Sequence, residues 1–224
     1  DTVDIYVVGD IDVEEMTEKL RQVLAFGDRE LHEKQLKTEI DTKPEEYTKE
    51  QQEMKQGKLH IGFSTPVYFG DPDFPKMQIF NGIFGGYAHS KLFMNVRERE
   101  SLAYYASSSY SSQYGLVFVT SGIEPSNEKK AIDVINEQLK VMQNGEISDL
   151  ELTQTKAMLT NQLKEALDSA RGQIEIYDQY KDLNEAFTID TWASRWQQVT
   201  KEDVEQMAKQ VKQEAIYFLC GKED

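Results

Sequence analysis

The segment from Gly85 to Tyr104 joins a glycine turn, a short helix and the start of a strand. A glycine pair can end one helix, a serine can begin the next, and the aromatic and hydroxyl residues after Ala103 are typical of a half-exposed strand. This order places Arg97 and Tyr104 seven positions apart, on either side of the junction between helix and strand. One cation and one phenol are therefore presented together, and any fold of this chain must accommodate that junction.

The chemistry of this pair suits the binding of a peptide group. A guanidinium fork can hold a carbonyl or a carboxylate with two donors, and a tyrosine hydroxyl can donate one hydrogen bond to a developing oxyanion. The alternative is that Arg97 is one of four solvated charges, followed by Glu98, Arg99 and Glu100, and that Tyr104 is an ordinary strand aromatic. Taken alone, these residues favour the alternative. Arg99 lies two positions further along the helix and should point elsewhere, so it serves as the internal comparison.

Alternating apolar residues predict the strands of a sheet. Apolar side chains at every second position of the run 58–64 point to one face, so this run is predicted to be a strand with one buried face. The runs 103–112 and 116–123, joined by a turn at 113–115, predict an antiparallel hairpin. A last strand is predicted over residues 215–220.

Helical periodicity dominates the remainder of the chain. Three helix starts carry capping residues, namely Asp12, Ser148 and Thr200. The predicted helices cover 13–25, 74–84, a short segment from 90, a segment containing 132–142 that ends at 145, then 148–170, 173–183, 190–197 and 201–212. Paired strands followed by a run of helices predict an α+β fold, in which a largely antiparallel sheet is covered by helices mostly on one face.

Two further segments bear on how the chain is organised. Residues 27–57 are dense in charge and keep no apolar period, which predicts an extended linker or arm. The run Ile5 to Gly9 predicts an opening strand, and we expect the chain to be a piece of a longer polypeptide. The run Ile216 to Gly221 has a similar pattern, since each is a strand that continues into a glycine, and this predicts a weak internal repeat.

The composition bounds the partners that we expect. The 224 residues carry 25 Lys and Arg against 40 Asp and Glu, a net charge of −15, which repels a phosphate backbone. No apolar run approaches the roughly 18 residues that indicate a membrane span. We therefore expect neither nucleic acid nor membrane as a partner. The single cysteine, Cys220, cannot form an internal disulfide, and no signal-peptide pattern opens the chain, so we expect a cytoplasmic protein.

Other catalytic chemistries lack the residue patterns that they need. The three histidines, His32, His60 and His89, are nowhere four residues apart, so no helix presents two of them to one metal ion. We therefore predict no catalytic zinc site in this segment. The serines between 107 and 112 lack the Gly-x-Ser-x-Gly pattern of a hydrolase nucleophile. The glycine-rich run 82–86 lacks the ending of a phosphate-binding loop, so it is predicted to be a helix cap and a turn.

The run Gly85 to Tyr104 resembles the substrate-binding motif in the C-terminal, non-zinc half of the M16 metallopeptidases, the inverted-zincin family of pitrilysin, insulin-degrading enzyme and the mitochondrial processing peptidase. The resemblance implies that Arg97 and Tyr104 reach the active site of the opposite half and hold the scissile peptide. The zinc motif of the family, H-x-x-E-H, is absent from the sequence. Lys91 stands where many relatives carry Arg, and Ala103 where relatives often carry Gly or Ala.

The resemblance also implies how the chain is divided and what it works with. Residues 1–26 would be the terminal strand and helix of the preceding homologous half, 27–57 the linker, and 58–224 the C-terminal domain, of the LuxS/metallohydrolase type. Zinc is the cofactor of the intact family enzyme, and this segment should hold none and be inactive alone. The implied partners are a peptide or unfolded protein substrate and a zinc-bearing domain or subunit, in a homo- or heterodimer. The alternatives are a catalytically inactive scaffold, like the peptidase-derived core subunits of respiratory complexes, and a free-standing interaction module.

Overall fold

The computed structural model describes residues 3–24, 26–27, 37–38, 46–183 and 188–222. Its packing divides the chain into two compact units. The smaller unit comprises Asp1–Gln35 and Thr160–Ile189, and the larger unit comprises Leu36–Leu159 and Asp190–Asp224. The two predicted site residues therefore belong to one unit, the larger one.

A five-stranded sheet forms the frame of the larger unit. Its strands are β1 (Glu46–Gln52), β2 (Gly57–Ser64), β3 (Ala103–Ser111), β4 (Leu116–Ile123) and β5 (Lys212–Gly221). They lie side by side in the order β1-β5-β2-β4-β3. β1 runs parallel to β5, and every other neighbouring pair is antiparallel. The predicted α+β fold with a largely antiparallel sheet is confirmed, and the hairpin of β3 and β4 forms one side of the sheet.

One face of this sheet is buried in the core. Leu59, Ile61 and Phe63 of β2 are fully buried, as their alternation predicts. The neighbouring strands add further buried residues to the same face: Val117, Val119, Phe218 and Cys220. On the opposite face, His60 of β2 is exposed and pairs across the strands with Thr120, which is half-buried. The sheet therefore has one apolar face that packs inward and a second, less buried face on which polar and apolar residues are mixed.

The α-helices of the described residues are α1 (Val13–Val23), α2 (Phe74–Asn81), α3 (Glu128–Gln143), α4 (Asp149–Leu167), α5 (Ala170–Tyr180), α6 (Ile189–Gln198) and α7 (Lys201–Gln210). Two π-helical segments, Gly82–Gly86 and Leu92–Arg99, lie between α2 and β3, and a 3₁₀ turn, Pro125–Asn127, precedes α3. None of the helices in these described ranges is both long enough and apolar enough to cross a membrane.

The predicted capping residues begin their helices as expected. The Asp12 side chain accepts a hydrogen bond from the backbone N–H of Glu15 at 2.9 Å. At the start of α7, the Thr200 hydroxyl accepts from the backbone N–H of Asp203, whose carboxylate accepts from the backbone N–H of Thr200. Ser148 has the same reciprocal arrangement at the start of α4. Local hydrogen bonds to otherwise unpaired N–H groups therefore set these helix starts.

The opening segment of the chain differs from the prediction. Residues 3–8 have no regular secondary structure, so the expected strand over Ile5 to Gly9 is absent from the described residues. The Tyr6 hydroxyl donates to the Asp178 carboxylate at 2.8 Å, within the smaller unit. An apolar run becomes a strand only when another backbone pairs with it. The predicted repeat is therefore wrong for secondary structure, because residues 216–221 lie in β5 whereas residues 5–9 lie in no strand.

The charged segment 27–57 also differs in part from the prediction. Its residues Glu46–Gln52 form β1, which pairs in parallel with β5, and β2 already begins at Gly57. Charged and polar side chains are compatible with an edge strand, because they remain in solvent while the backbone pairs. The prediction of an extended linker or arm did not anticipate that residues 46–52 belong to the sheet. The division of the chain at residues 26 and 57 stays a prediction.

Candidate substrate-binding site

Arg97 lies near the end of the π-helical segment Leu92–Arg99. The segment begins with an α-type hydrogen bond, from the Met94 N–H to the Ser90 carbonyl at 2.9 Å. Near its end the ring widens to the π type, because the Glu100 N–H donates to the Asn95 carbonyl at 3.1 Å. The buried side chains of Leu92 and Val96 fix the inner side of the segment in the core. Widened helical turns of this kind recur at functional sites.

The helix ends through an unusual backbone conformation. Ser101 has a φ of 51°, in the left-handed region that non-glycine residues rarely adopt. Leu102, which follows, is buried, and Ala103 begins β3. Strained residues of this type persist where the surrounding structure fixes them, and they cluster at functional sites. The turn at Ser101 therefore brings the end of the helix directly beside the first residues of β3.

A β-bulge places Tyr104 at this junction. Ala103 pairs with Ile123 and Tyr105 pairs with Gly122, so Tyr104 is an extra residue with no counterpart on β4. Both Tyr104 and Tyr105 are exposed, which breaks the alternation of the strand. A bulge re-aims one side chain and leaves its own backbone groups outside the ladder. Here the re-aimed side chain is the predicted site residue.

Arg97 satisfies the backbone carbonyl of the bulge. Its Nε donates to the Tyr104 carbonyl oxygen at 2.9 Å. The guanidinium lies 4.6 Å from the centre of the Phe93 ring, and its Nη1 lies 3.3 Å from the Glu98 carboxylate. The Arg97 side chain remains 40% exposed and Tyr104 57% exposed. The structure thus brings the two predicted residues together, through the guanidinium of one and the main chain of the other.

The Tyr104 hydroxyl has a partner that the sequence interpretation missed. It donates a hydrogen bond to the carboxylate of Glu124, the residue that follows β4. This hydrogen bond raises the pKa of the Tyr104 phenol above its ordinary value, because the phenolate would face a carboxylate. The register of the predicted hairpin could have indicated this contact. Ile123 lies opposite Ala103, so the residue after Ile123, which is Glu124, lies beside the bulge at Tyr104.

Arg99, the internal comparison, has a different environment. Its side chain is 76% exposed, and its Nε lies 4.0 Å from the Glu100 carboxylate. Glu100 is held more closely by Lys130, at 2.9 Å, and this hydrogen bond lowers the pKa of the Glu100 carboxyl. Arg97 and Arg99 therefore carry the same charge and lie in the same helical segment, but their side chains make different contacts, as their spacing predicts.

The two described histidines are far from forming a metal centre. His60 lies on the less buried face of the sheet, where desolvation of its charged form by the surrounding residues and then the charge of nearby Lys58 lower its pKa. His89 forms a hydrogen bond of 2.9 Å between its Nε2 and the Thr155 hydroxyl, and its ring stacks on Tyr87. Within the described ranges, no group of three or more His, Cys, Asp or Glu residues could hold a metal ion. His32 lies outside the described residues.

Comparison with known proteins identifies the family. The family model described as "Peptidase M16 inactive domain" matches residues 1–159. The chain belongs to the M16 peptidase family. The Bacillus subtilis (strain 168) protein named "Probable inactive metalloprotease YmfF" is 39% identical to this M16 chain over 224 residues, which is 100% of the chain and 52% of the relative. "Uncharacterized zinc protease YmxG" of the same strain is 28% identical over 138 residues, 59% of the chain and 33% of the relative.

Solved structures agree with this assignment. The M16 chain matches a conserved protein from Enterococcus faecalis V583 with a TM-score of 0.86 and 36% identity, over 96% of the chain and 51% of that structure. A peptidase M16 inactive domain from Pseudomonas fluorescens matches with a TM-score of 0.75 over 95% of the chain and 51% of that structure, and at 16% identity it supports the fold alone. The chain corresponds to the C-terminal, non-zinc half of M16 proteins. It spans about half the length of YmfF and of the Enterococcus faecalis protein.

Proposed function

We propose that this chain is the substrate-binding, non-zinc half of an M16-type zinc-dependent peptidase. Arg97 and Tyr104 bind the peptide group that is cleaved, and zinc is held by another domain of the full-length protein or by a partner subunit. The substrate is a peptide or an unfolded protein. The zinc-bearing half belongs to the same polypeptide or to the partner in a homo- or heterodimer. Because zinc is held there, this chain alone hydrolyses nothing.

The observation that carries this proposal is the hydrogen bond between the Arg97 guanidinium and the Tyr104 carbonyl at the bulge. This bond holds the Arg97 guanidinium against the main chain of Tyr104, and the side chains of both residues are accessible to another molecule. An ordinary strand aromatic would need neither the bulge nor the arginine. The geometry therefore supports the binding interpretation over that of scattered solvated charges.

The two side chains have complementary tasks in this proposal. The terminal guanidinium nitrogens of Arg97 donate to a carbonyl oxygen of the substrate backbone, while its Nε keeps the bulge in place. The Tyr104 hydroxyl donates to the scissile carbonyl oxygen, and this bond strengthens as negative charge develops there. Zinc, when bound by the other half, supplies the Lewis acid and the activated water. Neither Arg97 nor Tyr104 has to change its protonation state.

The test is cleavage of fluorescein-labelled casein by the full-length protein, or by this chain mixed with its zinc-bearing partner. Arg97→Ala and Tyr104→Phe should each reduce the rate by about a hundred- to a thousandfold, the usual loss for one oxyanion-stabilising donor. Arg99→Ala is the matched control and should cleave at nearly the wild-type rate. Thermal melts of all three variants verify that they fold. Equal activity of the Arg97 and Arg99 variants would contradict the proposal.

The second candidate is a catalytically inactive scaffold. The name of the 39% identical Bacillus subtilis relative, "Probable inactive metalloprotease YmfF", favours it. In this case the same fold serves association with another M16 subunit, and the polar pair has no catalytic role. Cleavage of casein by the full-length protein excludes the scaffold. Stable association with such a subunit, without cleavage, supports it.

A cytoplasmic location belongs to the same proposal. Its support is the single cysteine, Cys220, which is free and buried in β5. Buried thiols behave as small apolar residues, and they need no oxidising compartment. Cell fractionation tests the location, because the protein should be recovered with a cytoplasmic marker. Recovery from the culture medium or from the membrane fraction would contradict it.

A further inference from the structure

The contact between Tyr104 and Glu124 raises a difficulty for substrate binding. A phenol carries one hydrogen, and this hydrogen is donated to the Glu124 carboxylate in the structure. A hydroxyl that donates to a carboxylate cannot at the same time donate to a substrate carbonyl. The group that the proposed function assigns to the scissile peptide is therefore already engaged when no substrate is present.

We propose that Glu124 is a positioning residue that latches the Tyr104 hydroxyl and releases it when a peptide carbonyl binds. The inference rests on the proposed function, because it assigns a partner to the substrate-binding hydroxyl. In the latched state the hydroxyl points toward the end of β4, and in the released state it donates to the substrate. Glu124 itself contacts neither substrate nor zinc.

The backbone fixes the two ends of this latch. Tyr104 is held by the bulge and by the Arg97 hydrogen bond to its carbonyl oxygen, so its main chain does not need to move for release. Glu124 follows Ile123, the last residue of β4, and precedes the 3₁₀ turn Pro125–Asn127. Only the side-chain torsions of Tyr104 and Glu124 have to change. Rotation of exposed side chains is fast, so the latch does not limit the rate of binding.

The strength of the latch suits a reversible contact. Hydrogen bonds to an ionised carboxylate are roughly twice as strong as neutral ones, so the latch outcompetes water at neutral pH. The side chains of Tyr104 and Glu124 are both exposed, however. Breaking their hydrogen bond therefore requires little free energy, because water takes the place of the lost partner. The population with a free hydroxyl is thus a minor one, and the apparent affinity for substrate is reduced by that fraction. We expect the apparent affinity for substrate to be lower by about threefold to tenfold than it would be without the latch.

A titration of the 224-residue chain tests the latch without any peptidase activity. The absorbance of Tyr104 is isolated as the difference between the chain and its Tyr104→Phe variant. In Glu124→Gln the pKa of Tyr104 should fall toward its ordinary value of 10.0, because the carboxylate no longer opposes the phenolate. An unchanged Tyr104 pKa in Glu124→Gln would overturn the inference. A thermal melt verifies that this exposed substitution leaves the fold intact.

Glu128→Gln is the matched control for this titration. The Glu128 carboxylate accepts a hydrogen bond from the Tyr47 hydroxyl, a second tyrosine–glutamate pair in the same unit. Burial, followed by this hydrogen bond, raises the pKa of Tyr47 to about 12. The Glu128→Gln variant should lower the pKa of Tyr47 and leave that of Tyr104 unchanged. A fall in the Tyr104 pKa in both variants would indicate a general charge effect and overturn the latch.

Cleavage of fluorescein-labelled casein by the full-length protein, or by the chain with its zinc-bearing partner, tests the consequence for substrate. Glu124→Gln should lower KM about threefold to tenfold and change kcat little, and the effect should vanish in a Tyr104→Phe background. If Tyr104→Phe impairs cleavage but Glu124→Gln leaves KM unchanged or raises it, the latch is wrong and the proposed function stands. If Tyr104→Phe has no effect on cleavage, the proposed function fails, and the role of Glu124 fails with it.

Discussion

Lys91 and Glu151 form an ion pair at the start of the helical segment that carries Arg97, with 2.9 Å between the Lys91 Nζ and the Glu151 Oε1. Only 9% of the Lys91 side chain and 19% of the Glu151 side chain are exposed. Ser148 donates its backbone N–H and its hydroxyl to the second carboxylate oxygen, each at 2.8 Å. The position of Arg97 therefore depends on a contact with α4. Lys91 therefore has a structural task in this segment.

Removal of this ion pair should destabilise the fold. Lys91→Met leaves the mostly buried Glu151 carboxylate without its cation, which should lower the free energy of unfolding by about 2 kcal/mol, below the 3–5 kcal/mol of fully buried pairs because Glu151 is partly exposed. The control is Lys130→Met, since Lys130 contacts Glu100 at the same distance of 2.9 Å but is 58% exposed. That change should cost at most about 1 kcal/mol. Urea denaturation measures both, and equal losses would contradict the prediction.

The same carboxylate should make the stability pH-dependent. Burial raises the pKa of Glu151, but the hydrogen bonds from Lys91 and Ser148 outweigh it, so the pKa lies below its ordinary value of 4.5. The stabilisation from this group is therefore complete above pH 4.5 and is lost as the pH falls through the lowered folded-state pKa. Thermal melts of the wild type and of Glu151→Gln should converge as the pH decreases from about 6 to about 3. A difference that stays constant over this range would count against the prediction.

Gly85 should tolerate no side chain, because it lies directly against β3. A Cβ atom at this position would be 2.5 Å from the backbone nitrogen of Ser108 and 2.8 Å from the Leu92 side chain. Gly85→Ala should cost about 1–3 kcal/mol, the range for overpacking a core. Gly62→Ala is the control, since the nearest atom to its Cβ is the Ala215 carbonyl oxygen at 4.0 Å. Urea denaturation of the two variants should separate them clearly, and similar midpoints would show that the backbone at Gly85 can shift.

Limited proteolysis should cut the chain before β1. The charged composition of residues 27–57 predicts accessible cleavage sites, whereas Glu46–Gln52 is protected by its pairing with β5. Stable fragments should therefore begin near Glu46, and not near Lys58 as an unpaired linker over the whole segment would predict. Mass spectrometry of the early fragments identifies the cuts. Early cleavage between Asp149 and Leu167 would contradict the assignment of α4.

Local sequence patterns determined a large part of this protein. The alternation of 58–64, the hairpin of 103–112 with 116–123, and the helix starts at Asp12, Ser148 and Thr200 were all predictable. Each of them depends on interactions within a few residues or on one buried face of a strand. The family motif around Arg97 and Tyr104 is local as well, so the M16 assignment and the proximity of the two residues followed from the sequence.

Tertiary structure alone decided how the site is built. The bulge at Tyr104 depends on the register of β3 against β4, and the partner of its hydroxyl, Glu124, is brought close by that same register. β1 became a strand because β5, which is remote in sequence, offers it a backbone partner, whereas residues 5–9 have no such partner among the described residues. The side chains of β1 are exposed apart from one that is half-buried, so its pairing with β5 left no apolar periodicity in the sequence. For this reason the sequence named the two candidate residues, Arg97 and Tyr104, and only the fold showed that the Tyr104 hydroxyl is held by Glu124.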